Sequence, residues 1–210
     1  GAEIKLKNKG LPLTIKGNEN PSPINYLENK GSAQVKSSII LAGLKTEGKT
    51  FIKAKPSRNH TELLCKYLKL PLKVKKKNNY DLIEVEKIDK IKPLNYKIPS
   101  DISSAAFFIV LTTLSNNSKL LIKDVNINPS RIGIITILKK MGANIQFKNQ
   151  KNYKGEIVAD ILVTSKKKLK PINCPPKLNS GAIDEFLIIF LVAAKANGVS
   201  YFKDIGELNQ

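Results

Sequence analysis

Several residue types on which common functions depend are scarce in this chain. Its 210 residues include two cysteines and one histidine, and among 36 basic residues only Arg58 and Arg131 are arginines. Cys65 and Cys174 stand apart with no partner at metal-ligand spacing, which argues against a zinc site or a disulfide framework and for reduced thiols in or near a core. The longest apolar run, Phe186 to Ala194, falls far short of the roughly 20 residues that span a bilayer, and no arginine-flanked apolar leader opens the chain. The expectation is a soluble, untargeted, cytoplasmic protein with no membrane partner.

Acidic residues are scarce too. With 17 of them against 36 basic ones the net charge is +19, which raises the question of nucleic acid. The lysines scatter over every segment, and Lys, Asn and Ile together are what an AT-rich coding sequence produces by default. The densest clusters, Lys73 to Lys77 and Lys166 to Lys170, lack the interleaved aromatics of a base-stacking platform. A solvated basic surface is therefore preferred over a nucleic-acid groove. The same charge does favour a small anionic substrate, drawn in by a broadly positive field.

What the chain has is apolar residues in a repeating order. At 41% hydrophobic it can bury one sizeable core or two smaller ones. Ser32 to Lys45, Asp101 to Leu114 and Ile183 to Asn197 each read as a helix with a polar or acidic start and a nearly all-round apolar body, which predicts deep burial. Each runs through a small-residue turn into a short strand-like stretch: "GKTFIKA", "SKLLIKD" and "GVSYFKD". Amphipathic helices follow the first two, at His60 to Leu70 and Ser130 to Gly142, the latter stopping on a C-cap glycine. Two strand-like stretches then close each unit, "LKVKKKN" with "YDLIEVEK" and "ANIQFKN" with "EIVADILVTS". The order strand, helix, strand, helix, strand, strand thus occurs about two and a half times, the mark of related units stacked together. Between the two complete units, "KIKPLNYKIPSD" carries Pro93 and Pro99 and reads as a hinge between lobes, where a ligand cleft is the default site.

"GSAQVKSSIILAGL", "SRNHTELL", "PSDISSAAFF", "INPSRIGIITILKKMGANI" and "IDEFLIIFLVAA" follow one another in an order and at spacings that resemble the enolpyruvylshikimate-phosphate synthases. "SAQVKS" with "INPSR" is most similar to the bacterial class that includes glyphosate-tolerant members. The resemblance covers essentially the whole chain and implies a two-lobed, inside-out α/β fold built from repeated βαβαββ units. Residues 1–97 would then be part of one lobe and residues 98–210 part of the second. It also implies that the chain corresponds to the central half of such an enzyme, since the family's terminal motifs do not occur in it. Alone, this length is expected to bind substrate weakly and to turn over nothing.

The implied reaction is transfer of the carboxyvinyl group of phosphoenolpyruvate to shikimate 3-phosphate, with release of phosphate, in aromatic amino acid biosynthesis. The resemblance implies a monomer and no metal or organic cofactor. It matches Ser32, the Ala33 N–H and Arg58 to phosphate-binding positions for shikimate 3-phosphate. Gln34 matches the residue that packs on the substrate ring and reaches toward phosphoenolpyruvate. Asp184 matches the aspartate that binds the attacking hydroxyl and can accept its proton. The chemistry of these residue types agrees. A helix start offers free N–H groups and a positive dipole end to a dianion, and in so lysine-rich a chain an arginine at 58 suggests a planar fork. The alternative for Ser32 is an ordinary N-cap, and for Asp184 a first-turn acid that steadies its helix beside Glu185. His60 belongs to a capping turn in the family pattern, and Arg131 is expected to hold a helix start. Asn59 and the Phe186-Leu187 pair depart from the usual pattern.

Other readings stay open on the sequence. A nucleotide-sugar enolpyruvyl transferase, acting on UDP-N-acetylglucosamine, shares the implied fold but uses a loop cysteine that neither Cys65 nor Cys174 matches. A lysine-faced nucleic-acid-binding protein is the alternative from a different class, and a non-catalytic remnant kept as a scaffold is a third.

Overall fold

The computed structural model describes residues 1–8, 10–166 and 168–209, which divide into two units, Gly1–Leu94 and Asn95–Gln210. The first unit opens with an exposed antiparallel pair, β1 (Glu3–Lys7) and β2 (Gly10–Lys16). Then follow β3 (Asn25–Glu28), α1 (Ala33–Gly43), β4 (Lys49–Ala54), α2 (His60–Tyr67), β5 (Leu72–Lys77) and β6 (Tyr80–Glu86). The sheet order is β3-β4-β6-β5, with β3 and β4 parallel and the other pairs antiparallel. A parallel pair needs a crossover between its strands, and α1 supplies it.

Sequence alternation sets which side faces the core. Thr50, Ile52 and Ala54 of β4 and Asp81, Ile83 and Val85 of β6 are buried, while the residues between them are less so. Ile52, Ala54, Ile83 and Val85 pack with Ile40, Leu44 and Cys65 from the helical side. Each fully buried aliphatic side chain in that cluster contributes about 1.5–3 kcal/mol.

The second unit holds α3 (Ile102–Leu114), β7 (Lys119–Asn126), α4 (Gly133–Lys140), β8 (Asn144–Tyr153), β9 (Glu156–Thr164) and α5 (Phe186–Lys195). Its sheet runs β7-β9-β8, and Ser100 makes a parallel bridge to Val125 of β7. Ser100 therefore stands to β7 as β3 stands to β4, and the order of the first sheet is repeated with one strand reduced to a single residue. A third cycle begins at a parallel bridge between Asn173 and Tyr201, with α5 between them.

Two expectations need correction. "GVSYFKD" contributes only the bridge at Tyr201 rather than a strand. β4 and β7 each have bonding neighbours on both sides, whereas Tyr201 is bridged to Asn173 alone among the described residues. The apolar helices are also buried on one side only: Phe107 of α3 is 64% exposed and Leu187 of α5 78%, and Phe108, Leu111 and Leu41 are exposed as well. A single sheet can cover one face of a helix, and among the described residues apolar side chains on the other faces of α1, α3 and α5 are exposed.

Candidate functional site

β3 and β4 end side by side, with Glu28 opposite Ala54, so the chain leaves both strands at the same edge of the sheet. From there residues 29–32 lead into α1 and residues 55–59 into α2. The buried Glu28 carboxylate winds the first of these loops: it accepts from the Lys30 N–H at 2.9 Å and the Gly31 N–H at 2.8 Å. Gly31 has φ +80°, and a Cβ there would lie 3.7 Å from the Pro56 carbonyl oxygen, so the two loops touch. A side chain larger than hydrogen would be strained at that φ.

Ser32 is the N-cap of α1; its Oγ accepts from the Val35 N–H at 3.3 Å, and its carbonyl accepts from the Lys36 N–H at 3.1 Å. Capping and ligand binding are thus compatible, because the cap uses the third amide of the turn. The amides of Ala33 and Gln34 are among those that no intrahelical carbonyl can satisfy. On the facing loop Ser57 and Arg58 are half-buried, and the Ser57 Oγ is a buried hydroxyl with no hydrogen-bond partner among the described residues. The structure therefore brings Ser32, Ala33 and Gln34 onto one loop-helix junction and Ser57 and Arg58 onto the neighbouring one. His60 is the first residue of α2, whose N-cap is Asn59.

Beneath this edge the first turns of α1 and α2 are joined. Lys36, 0% exposed, places Nζ 2.6 Å from Oε1 of Glu62, itself 7% exposed. Among the described residues the Lys36 ammonium and Glu62 Oε2 have no hydrogen-bond partner, so the pair is held by charge. Beside it Ser37 Oγ and Thr61 Oγ1 are 2.7 Å apart.

Asp184 lies in the second unit, and its local setting differs from the expectation. It sits in a single 3₁₀ turn, Ile183–Glu185, and α5 begins only at Phe186. Tight i to i+3 bonds from Ala182 to Asn179 and from Glu185 to Ala182 replace the first helical turn. Arg131, 12% exposed, donates from Nη1 to Asp184 Oδ2 at 2.9 Å and from Nη2 to Asp101 Oδ1 at 3.2 Å. Asp101 is the N-cap of α3, so Arg131 does hold a helix start, and it holds Asp184 as well. Nη2 also donates to Ser103 Oγ, whose hydroxyl donates to the buried Glu185 carboxylate.

Burial holds the Glu185 carboxyl above its usual range; Ser103 and Arg131 oppose that, while Asp184 and Asp101 add to it. For Asp101, burial pushes upward too, but the Ser104 N–H and hydroxyl, the Ser103 N–H and Arg131 outweigh it and keep the group below the ordinary aspartate range. Sequence reasoning missed Glu28, Lys36, Glu62, Ser103 and Glu185. The scarcity of arginine was the one signal that pointed toward the Arg131 cluster.

The lysine cluster Lys73 to Lys77 lies on the edge strand β5, where Lys73 faces Glu84 and Lys76 faces Asp81 on β6. The second cluster includes residue 167, which lies outside the described residues. Among the described residues no helix is long and apolar enough to cross a membrane.

The family model for EPSP synthase (3-phosphoshikimate 1-carboxyvinyltransferase) matches residues 1–210. The chain belongs to the EPSP synthase family. Among curated EPSP synthases, named 3-phosphoshikimate 1-carboxyvinyltransferases, one from Ruthia magnifica subsp. Calyptogena magnifica is 43% identical over 209 residues, covering 99% of this chain and 47% of its own length. Another, from Caldicellulosiruptor saccharolyticus, is 41% identical over 207 residues, covering 98% and 47%. An EPSP synthase structure from Acinetobacter baumannii matches with a TM-score of 0.81 at 38% identity, over 95% of this chain and 45% of that one. The enolpyruvyl transferase NikO from Streptomyces tendae, at 13% identity and a TM-score of 0.65, shares the fold. The α/β organisation in two units with repeated elements is that of EPSP synthase, and the chain spans about half the length of the curated relatives it matches.

Proposed function

We propose that this chain carries the shikimate 3-phosphate-binding and proton-accepting parts of a 3-phosphoshikimate 1-carboxyvinyltransferase acting in the cytoplasm. Residues 1–97 supply the phosphate site and residues 98–210 supply Asp184. The reading is carried by the contact between the loops before α1 and α2, Gly31 against Pro56, which sets the α1 amides beside the Ser57-Arg58 segment. A phosphate dianion between them meets orphan amides, the Ser32 and Ser57 hydroxyls and a guanidinium that can bind two oxygens at once. Gln34, exposed one residue further on, packs on the substrate ring and reaches phosphoenolpyruvate.

In the reaction a substrate hydroxyl oxygen bonds to C2 of phosphoenolpyruvate while Asp184 accepts the hydroxyl proton and the methylene carbon gains one. The tetrahedral intermediate then loses phosphate and a proton from that carbon, which restores the vinyl group. The Arg131 fork holds Asp184 Oδ2 and so fixes the orientation of the carboxylate.

The nucleotide-sugar alternative finds less support. Cys65 and Cys174 are buried and free, and burial holds both thiols above their usual range, Cys65 with help from Glu62 and Cys174 against Lys140. That disfavours the thiolate a reactive cysteine needs. Two unpaired, separated cysteines also accord with a reducing compartment.

Titration of the 210-residue chain with shikimate 3-phosphate, followed by amide NMR, tests the reading. The Ser32 and Ala33 amides are expected to shift, and Arg58→Lys to weaken binding by about ten-fold or more through loss of the bidentate fork. Unchanged affinity in Arg58→Lys would mean the phosphate binds elsewhere.

A further inference from the structure

Two side-chain contacts sit one turn below the proposed phosphate site, and neither takes part in it. Lys36 and Ser37 lie where the first turn of α1 passes into the second, four and five residues after its cap Ser32; Thr61 and Glu62 lie in the first turn of α2, three and four after Arg58. The Lys36 ammonium is fully buried against Glu62 at 2.6 Å, and the Ser37 and Thr61 hydroxyls meet at 2.7 Å. A buried ion pair is a costly way to join two helices. Its desolvation penalty commonly exceeds its attraction, and apolar residues of similar volume often serve stability as well or better. Apolar contacts, however, tolerate small slips of one helix along another, whereas an ammonium on a carboxylate and a hydroxyl on a hydroxyl fix a single register. Such a fixed register matters where two helix starts must share one dianion, since binding geometries degrade once supporting groups move by about half an ångström.

We propose that the Lys36–Glu62 ion pair and the Ser37–Thr61 hydroxyl bond are a positioning clamp that sets the first turn of α1 against that of α2 and so pre-builds the gap between the Ser32-Ala33 amides and Arg58. These four are positioning residues and touch no substrate. The inference rests on the phosphate site proposed above.

The test uses the 210-residue chain, with inorganic phosphate and shikimate 3-phosphate as probes, amide NMR for affinity and urea denaturation for stability. In the double variant Lys36→Met with Glu62→Met, the pair is replaced by apolar side chains of similar length. The clamp requires this protein to unfold at a urea concentration equal to or above that of the parent while binding shikimate 3-phosphate about ten-fold more weakly or worse. Parental affinity in a stably folded double variant would reduce the pair to a structural contact and overturn the proposal. Should that variant fail to fold, Thr61→Val removes only the hydroxyl bond. A loss of affinity of about three-fold or more at unchanged stability supports the clamp, and full affinity overturns it. The Arg58→Lys control separates the two readings: if the parent chain binds at Ser32 and Ala33 and Arg58→Lys weakens it, the site stands and only the clamp is in question. If the parent shifts neither amide, the site and the clamp built on it both fall.

Discussion

Arg131 Nη1 donates to Asp184 Oδ2 across 2.9 Å although the two residues are 53 positions apart, and the same guanidinium reaches Asp101 and Ser103 through Nη2. One mostly buried cation thus organises the cap of α3, the 3₁₀ turn before α5 and the hydroxyl that serves Glu185. Each consequence of that arrangement can be measured in the 210-residue chain.

Removing the fork exposes what it balances. Arg131→Met leaves Asp101, Asp184 and Glu185 close together with their common partner gone. Hydrogen bonds to charged groups contribute about 1.5–3 kcal/mol, and solvent reaches part of this cluster, so a loss of about 2 kcal/mol is expected. Urea denaturation reads it, and a loss below about 0.5 kcal/mol would show the contacts to be solvated and weak. Arg131→Lys should recover only part, because a single ammonium nitrogen cannot reproduce the two separate nitrogens, Nη1 on Asp184 and Nη2 on Asp101 and Ser103.

Glu185 gives a pH signature. Burial raises its native pKa above the unfolded carboxyl value, so the native state holds its proton more tightly than the unfolded chain does. The stability it contributes is complete below the unfolded glutamate pKa of about 4.3 and is lost as pH rises through the raised native value. Glu185→Gln removes that titration and can still accept from Ser103. Its stability relative to the parent is therefore expected to improve as pH rises from acid toward neutrality. Urea midpoints of both proteins across that window decide the matter, and a difference that moves the other way would refute the burial argument.

Gly133, at the first residue of α4, is required for a close approach rather than for its backbone angles. A Cβ there would stand 2.5 Å from the Gly181 carbonyl carbon and 2.8 Å from the Ala182 Cβ, both fixed by the chain that leads to Asp184. Gly133→Ala must push that segment away, at a cost of about 2–3 kcal/mol. Altered amide shifts from 181 to 185 together with a lower urea midpoint are expected; an unchanged midpoint would mean the segment yields freely.

Much of the architecture was legible because it repeats and because its elements follow local rules. The alternation in "KTFIKA" and "YDLIEVE" fixed which side of each strand faces the helices, and Ser32 and Asp101 announced the helices they cap. The same rules misjudged Tyr201, since a strand needs bonding neighbours that local pattern cannot supply. They also misjudged α3 and α5, because apolarity all round a helix states a preference for burial without saying what covers it. For the proposed site, the candidates before α1 and α2 came from motif and residue type, while the groups that brace those loops were not legible.

By itself, then, the sequence determined the repeating order of the helices and of most strands, the caps of α1 and α3, and the candidate phosphate and carboxylate residues, all of which depend on patterns a few positions long. Only the tertiary structure decided that Lys36 and Glu62 meet out of water, that Glu28 turns inward to shape the loop at Gly31, and that Arg131 rather than a helix dipole holds Asp184. A charged residue prefers water on its own account. Whether it is instead buried depends on a partner that folding brings from elsewhere in the chain.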